Sequence, residues 1–111
     1  MIRNPRTVAV PIANGETTSA VVCLRDHAMV GLITPSALTS TAITFTASAT
    51  EGGTFVPVYD SDGSVVSLAV AQARAIGLSG AEADALAPFV WIKVVCGSAE
   101  ADDRVLTLVL K

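Results

Sequence analysis

The chain contains few of the residues on which catalytic and nucleic-acid-binding sites depend. Its 111 residues include one histidine, two cysteines and only five aromatic residues, namely three Phe, one Tyr and one Trp. Seven residues are basic, and they are scattered rather than gathered into the basic stripe that nucleic-acid binding needs. The composition therefore argues against nucleic acid as a partner.

Long hydrophobic runs are also missing, although 51% of the residues are hydrophobic. The longest apolar stretches, near Val90–Cys96 and Val105–Leu110, have the length of a strand, whereas a membrane-spanning helix needs about 20 residues. The first ten residues, MIRNPRTVAV, lack the apolar core of a signal peptide. We expect a soluble protein of cytosolic origin with no membrane partner.

The scarcity of cysteine and histidine leaves little material for a reactive centre. Cys23 and Cys96 are too few for a disulfide framework, and each lies in an apolar strand-like run where a free cysteine packs as a small hydrophobe. We expect buried free thiols; a disulfide and a reactive thiol are the alternatives. His27 has no further Cys/His cluster with which to bind zinc. We predict no enzyme activity, no catalytic residue, no metal and no cofactor; a small metal-dependent enzyme, the alternative, would carry metal when purified.

Short runs of Val, Ile, Thr and Leu, separated by Gly, Pro, Asn, Asp and Ser, make up most of the chain. This pattern is typical of all-β proteins. It predicts an antiparallel β-sandwich of about eight strands, formed by a single domain over residues 7–111 after a flexible N-terminal arm, residues 1–6. One short helical turn is predicted near 80–87, capped by Ser79 and ended by Pro88. Pro57 cannot donate to a ladder, so its strand is predicted at a sheet edge or a bulge.

The sequence YDSDGS, residues 59–64, resembles the start of a calcium-binding loop. Counted from Asp60, Gly63 comes two positions too early for an EF-hand, and Ala71 stands where the loop needs a bidentate Glu. A β-hairpin fits better, because Asp62 and Gly63 can supply the two positive φ angles of a type I′ turn and Asp60 can accept backbone N–H groups at its mouth. A weak calcium site with shared ligands is the alternative.

Two strands are predicted to be apolar on both faces, Phe89–Cys96 and Arg104–Leu110. A two-layer sandwich buries only one face of each sheet, and the sequence offers hardly any helix to cover the other. The excess predicts an interface with another copy of the chain; loops folded over the sheet are the alternative. The predicted oligomer-interface residues are Phe89, Trp91, Leu106 and Leu108.

Nearly the whole chain, from about Val8 to Leu110, resembles a group of small tailed-phage virion structural proteins, of the capsid decoration (cement) or head-fibre kind. The matching pieces are the IANG turn, VGLITP, then ITF and the later GGTF with PVYDSDG, the late WIK followed by a glycine, and the final RVLTLV. These are turn and core patterns, so they indicate the fold more strongly than the role.

The resemblance implies a jelly-roll fold and a capsid decoration protein. Such a protein would assemble in the host cytoplasm as a homo-oligomer, commonly a trimer, and would bind the phage major capsid protein on the surface of the virion. Arg3 and Arg6 would then belong to an arm that contacts the capsid. The alternative function is a carbohydrate-binding or adhesion module of a head or tail fibre, in which Trp91 and Tyr59 form a stacking platform beside Asp60 and Asp62.

Overall fold

Nine strands and one helix follow one another in the part of the chain that the computed structural model describes, residues 6–25 and 27–111. The elements in chain order are β1 (Arg6–Ile12), β2 (Val22–Cys23), β3 (Met29–Ile33), β4 (Ala42–Ser48), β5 (Val56–Pro57), β6 (Ser67–Ala69), β7 (Ala75–Gly77), α1 (Gly80–Leu86), β8 (Trp91–Cys96) and β9 (Arg104–Leu110). Within these residues no helix has the length and apolar character needed to cross a membrane.

The strands form two antiparallel sheets. The first sheet has the order β1-β9-β3-β7; the second has the order β2-β8-β4-β5, and β6 pairs with β4 as well. Except for the step from β4 through β5 to β6, consecutive strands alternate between the two sheets, as in a jelly roll. The predicted all-β antiparallel sandwich is therefore confirmed, and β5 with Pro57 lies at a sheet edge as predicted.

The core lies between the sheets and follows the period-two alternation of the long strands. In β9 the buried residues are Leu106, Leu108 and Leu110, while the residues between them point outward. β4 and β8 contribute Ile43, Phe45, Ile92 and Val94 from the opposite sheet, all fully buried. Leu106 and Leu108 thus pack inside their own chain, so the prediction that they form an oligomer interface is wrong.

The two cysteines lie on opposite faces of the second sheet. Cys96 pairs with Ile43 on the buried face, and Cys23 pairs with Trp91 on the outer face. Both thiols are free, Cys96 buried and Cys23 half-buried. Because the two side chains point to opposite faces of the sheet, the thiols cannot form a disulfide with each other.

The predicted helix is confirmed as α1, which closes one end of the sandwich. Ser79 adopts an extended conformation and accepts a hydrogen bond from the Glu82 backbone N–H, while the Glu82 side chain accepts one from the Ser79 N–H. This capping box satisfies two donors at the start of the helix. Leu86, fully buried, attaches the other end to the core.

The predicted N-terminal arm, residues 1–6, lies outside the described residues except for Arg6. Arg6 belongs to β1 and pairs with Leu110 across the sheet. The boundary of the arm at residue 6 and the role of Arg6 as an arm residue are therefore wrong, because the backbone of Arg6 is held by the β1–β9 ladder. Arg3 lies outside the described residues.

Candidate functional site

Among the described residues, the large hydrophobic side chains that remain exposed gather on two surfaces. Ile33 and Val105, 42% and 50% exposed, lie on the outer face of the first sheet. Val56, Tyr59 and Val90 line a cleft beside the second sheet, and the sixth, Val65, pairs with Tyr59. Exposed apolar surface gathered in this way marks candidate binding sites.

The outer face of the first sheet is built by strand register, since cross-strand partners share a face. Its rows are Thr7–Val109–Gly31–Gly77, Ala9–Thr107–Ile33–Ala75 and Pro11–Val105. We call these ten residues the flat face.

None of the ten residues of the flat face is charged. Most side chains are short, and Gly31 shows how close the strands lie: a Cβ at this position would sit 3.1 Å from the Ile76 carbonyl oxygen and 3.4 Å from the Val109 Cβ. Charged side chains are the usual protection of a solvent-exposed sheet surface. The flat face lacks that protection over all four strands.

The outer face of the second sheet is different, because the β4–β5 connection folds over it. The Nζ of Lys93 lies 4.7 Å from the centre of the Phe55 ring. This cation–π contact brings Phe55 over the outward row of β8 and neighbouring β4. Thr46, opposite Lys93 in the register, has its Oγ1 buried with no hydrogen-bond partner in the described part of the chain. A loop therefore covers part of the outer face of the second sheet, which is the predicted alternative to an interface. This loop does not cover the flat face.

The cleft consists of two adjoining cavities at the α1 end of the sandwich. The first has a volume of about 440 Å³ and holds Phe89 and Trp91, both half-buried, with Tyr59, which is 56% exposed. The second, of about 470 Å³, is lined by Asp60, Asp62 and Asp84 among others. Tyr59, Pro88 and Phe89 line both cavities. We call the joined cavities the aromatic cleft.

The turn at residues 60–63 positions the acidic wall of the cleft. Asp60 Oδ1 accepts the backbone N–H groups of Asp62 and Ser64 at 2.9 and 3.0 Å, and the Gly63 N–H donates to the Asp60 carbonyl. Gly63 has φ +87°, but Asp62 does not have a positive φ. The predicted type I′ turn is therefore wrong: Ser61 and Asp62 form the turn and Gly63 follows as the left-handed residue of a bulge.

The sequence suggested the carboxylates of this turn as ligands of a weak calcium site. Among the described residues no group of three or more His, Cys, Asp or Glu side chains is placed to hold a metal ion. All three aspartates of the cleft line the second cavity; Asp60 uses one carboxylate oxygen on its own turn, whereas Asp62 and Asp84 accept no hydrogen bond from the described residues.

At the opposite end of the sandwich lies a buried carboxylate that the sequence analysis missed. Glu100 is 1% exposed; its Oε1 accepts from Thr39 N and Arg104 Nε, and its Oε2 accepts from the N–H and the hydroxyl of Ser40. Burial by itself would raise the pKa of this carboxyl, but the hydrogen bonds outweigh it and lower the pKa to about 2. The sequence signal is only an acidic residue between alanines, indistinguishable from a solvated loop.

Cys96 lies next to this cluster. Burial raises the pKa of its thiol, a hydrogen bond with Ser40 opposes the shift, and the charge of Glu100 adds to it. The thiolate, which is the reactive form, is therefore disfavoured.

The structure separates the four predicted interface residues. Phe89 and Trp91 line the aromatic cleft, half-buried, and their role as interface residues stays a prediction. Leu106 and Leu108 are core. The residues that do remain outward on β9, Val105, Thr107 and Val109, form the middle of the flat face.

Comparison with known proteins indicates the fold. No protein-family model matches the chain, and no curated protein matches it. The crystal structure of the SPBc2 prophage-derived protein YomS is similar, with a TM-score of 0.54, 12% sequence identity, and coverage of 99% of this chain and 96% of that one. At this identity the similarity is one of fold, and it extends over practically the full length of both chains.

Proposed function

We propose that the chain is a non-enzymatic structural protein of a phage virion, a capsid decoration (cement) protein that forms a homotrimer and binds the major capsid protein at the capsid surface. The observation that carries the proposal is the flat face: ten residues on the outer face of four strands, all but Gly31 at least partly exposed and none of them charged. Such a surface is suited to permanent contact with protein rather than with water.

The full-length similarity to a prophage-derived protein supports a phage origin. The sequence patterns at the IANG turn and in PVYDSDG, which resemble those of small virion proteins, point the same way. A decoration protein needs a rigid fold and adhesive surfaces rather than a reactive centre. The unreactive setting of Cys96 agrees with such a role.

The size of the flat face indicates how the protein would hold its partners. The strands β1, β9, β3 and β7 have 7, 7, 5 and 3 residues. With a rise of about 3.3 Å per residue and a spacing of about 4.8 Å between strands, they present roughly 350 Å² per copy. Burying this area on both partners removes about 700 Å² from water, which is below the size of a standard stable interface. Several such contacts acting together, in a closed trimer that also touches the shell, would give the necessary avidity.

Light scattering on a sizing column, which gives the mass of the protein in solution, tests this proposal. One chain has a mass of 11.3 kDa, and a trimer would have three times that mass. A dimer would overturn the trimer, and a monomer at all concentrations would overturn assembly through the flat face.

Binding to the shell is tested by co-sedimentation with capsids that lack their decoration protein, from the phage whose genome encodes the chain. Saturable binding at a fixed number of copies per capsid supports the decoration role. Binding to purified tails and not to capsids would overturn it.

A further inference from the structure

We propose that the aromatic cleft is a binding site for a carbohydrate chain without acidic groups. This function goes beyond capsid decoration and does not depend on it. The proposal rests on the joining of two cavities, three aromatic side chains and two free carboxylates at one end of the sandwich.

The three aromatic side chains of the cleft are not fully buried, although Phe89 packs against the core with part of its side chain. Of the five aromatic residues only Phe45 is fully buried, whereas Tyr59, Phe89 and Trp91 line the first cavity with part of each side chain accessible. A sugar ring has an apolar face of C–H groups and a rim of hydroxyls. Aromatic rings offer the matching apolar surface, and Tyr and Trp add a polar tip.

The carboxylates supply the polar half of such a site. Asp62 and Asp84 line the second cavity, and within the described part of the chain neither carboxylate accepts a protein hydrogen bond. Ionised carboxylates are strong acceptors and can bind sugar hydroxyls. Because Tyr59, Pro88 and Phe89 line both cavities, a ligand stacked in the first can extend to the acceptors in the second. A volume of about 440 Å³ is in the usual range for small-ligand sites.

Charge excludes the principal alternative ligands with aromatic-binding chemistry, nucleotides and acidic glycans. Among the described residues no Lys or Arg lines either cavity, and three aspartates do. A phosphate or a sugar acid would therefore be repelled with no cation to compensate.

A peptide fits the cleft less well than a carbohydrate. Peptides commonly bind beside a sheet by adding a strand to an open edge. The edge strand next to the cleft is β5, which is two residues long and includes Pro57, a residue with no N–H to donate. The main-chain ladder on which strand addition depends is thus unavailable there.

The first cavity of the cleft and the flat face belong to different sheets. The cleft opens beside Ser48 and Trp91, which pair on the outer face of the second sheet, whereas the flat face is the outer surface of the first. A protein held through its flat face would keep the cleft accessible.

The test uses a glycan array of neutral, amino-sugar and acidic glycans, followed by titration of the full chain with maltohexaose, cellohexaose, chitohexaose and every array hit. Heptalysine is titrated in parallel as a cationic peptide. Trp91 is the single tryptophan, so its fluorescence reports directly on the cleft. We expect saturable binding of a glycan without acidic groups. Tyr59→Ala should weaken that binding about tenfold, as loss of a stacked ring does elsewhere.

Two further variants act as controls. Tyr59→Phe keeps the ring and should bind within a few-fold of the parent, and Val105→Ala removes a similarly exposed side chain from the flat face and should leave binding unchanged. No binding on the array and in the titrations would overturn the proposal, as would binding of acidic glycans alone, binding of heptalysine alone, or equal binding by Tyr59→Ala. Mass and capsid binding should be the same for Tyr59→Ala and the parent, so failure here is distinguishable from failure of the decoration role.

Discussion

At the scale of single residues, Glu100 is a buried carboxylate whose two oxygens are both hydrogen-bonded. Its side chain holds Thr39 and Ser40, which precede β4, against Arg104 at the start of β9. Its backbone also binds the β1–β2 connection, through the N–H of Gly15 and the carbonyl of Glu16. Buried charges persist only when they are paired and hydrogen-bonded in this way. Glu100 therefore fixes the end of the sandwich opposite the cleft.

Stability should fall in acid because of Glu100. Its pKa is lowered from 4.5 in the unfolded chain to about 2 in the folded protein, so its stabilisation is complete above pH 4.5 and is lost as the pH falls toward 2. The shift corresponds to about 3 kcal/mol of folding free energy. In Glu100→Gln, urea unfolding at pH 7 should show a loss of that order, since the amide NH₂ would face backbone donors.

The pH dependence separates this charge effect from a packing effect. Between pH 4.5 and 2.5 the parent should lose more stability than Glu100→Gln, which has no carboxyl at this position to titrate. Glu51→Gln, at an exposed position, is the matched control and should follow the parent. Parallel stability curves for the parent and Glu100→Gln would contradict the assignment.

At the scale of elements, α1 is too short to be stable by itself. Seven residues form about two turns, and isolated helices of that length do not persist in water. The additional stabilisation comes from the capping box of Ser79 and Glu82 and from the burial of Leu86 in the core. Because Ala81, Asp84 and Ala85 line the second cavity, the order of α1 also fixes one wall of the aromatic cleft.

Removal of the cap should therefore loosen α1. We expect Ser79→Ala to lower the free energy of unfolding by about 1 kcal/mol, because the Glu82 N–H loses its acceptor. Amide hydrogen exchange should quicken in the first turn of α1. Ser36→Ala, at an exposed position outside the helix, is the control and should change neither quantity. Equal exchange rates at Glu82 in Ser79→Ala and the parent would show that tertiary packing alone holds the helix.

At the scale of the whole molecule, the sandwich presents two unlike surfaces. The flat face is wide, uncharged and built of regular strands, and it suits a partner that is also flat. The aromatic cleft is concave and lined by three aspartates, and it is built by a turn, a helix and the start of β8. One fold can hold both because its sheets turn their outer faces in opposite directions.

A charge placed on the flat face should separate the copies. Ile33 is in the central row of that face, and Ile33→Lys would place an ammonium group in the contact, where its loss of water is not compensated. Light scattering should then give the mass of one chain, with the β-sheet circular dichroism unchanged. Ser67→Lys, exposed on the outer face of the second sheet, is the control and should stay assembled. An assembled Ile33→Lys protein would show that another surface joins the copies.

The class of fold, most strand positions, the short helix and the edge position of Pro57 were predictable from the sequence. These follow from local signals: period-two alternation, turn residues and a capping pattern act within a few residues. Alternation in β9 separated Leu106 and Leu108 from Val105 and Thr107, but it could not say which set faces the core. The sequence located the turn at Asp62 and Gly63 but not the turn type, because the type depends on the φ angle of Asp62 alone.

Which surfaces are free depends on contacts between residues that are far apart in the sequence. The flat face exists because Thr7 pairs with Val109 and Gly31 joins the same row, contacts between residues far apart in the chain. The burial of Glu100 and the meeting of Tyr59 with Trp91 arise in the same way, when distant loops and strand ends close on one another. Local patterns determine which residues of a strand share a face. The long-range strand register determines what each face contacts, and this register creates the candidate sites.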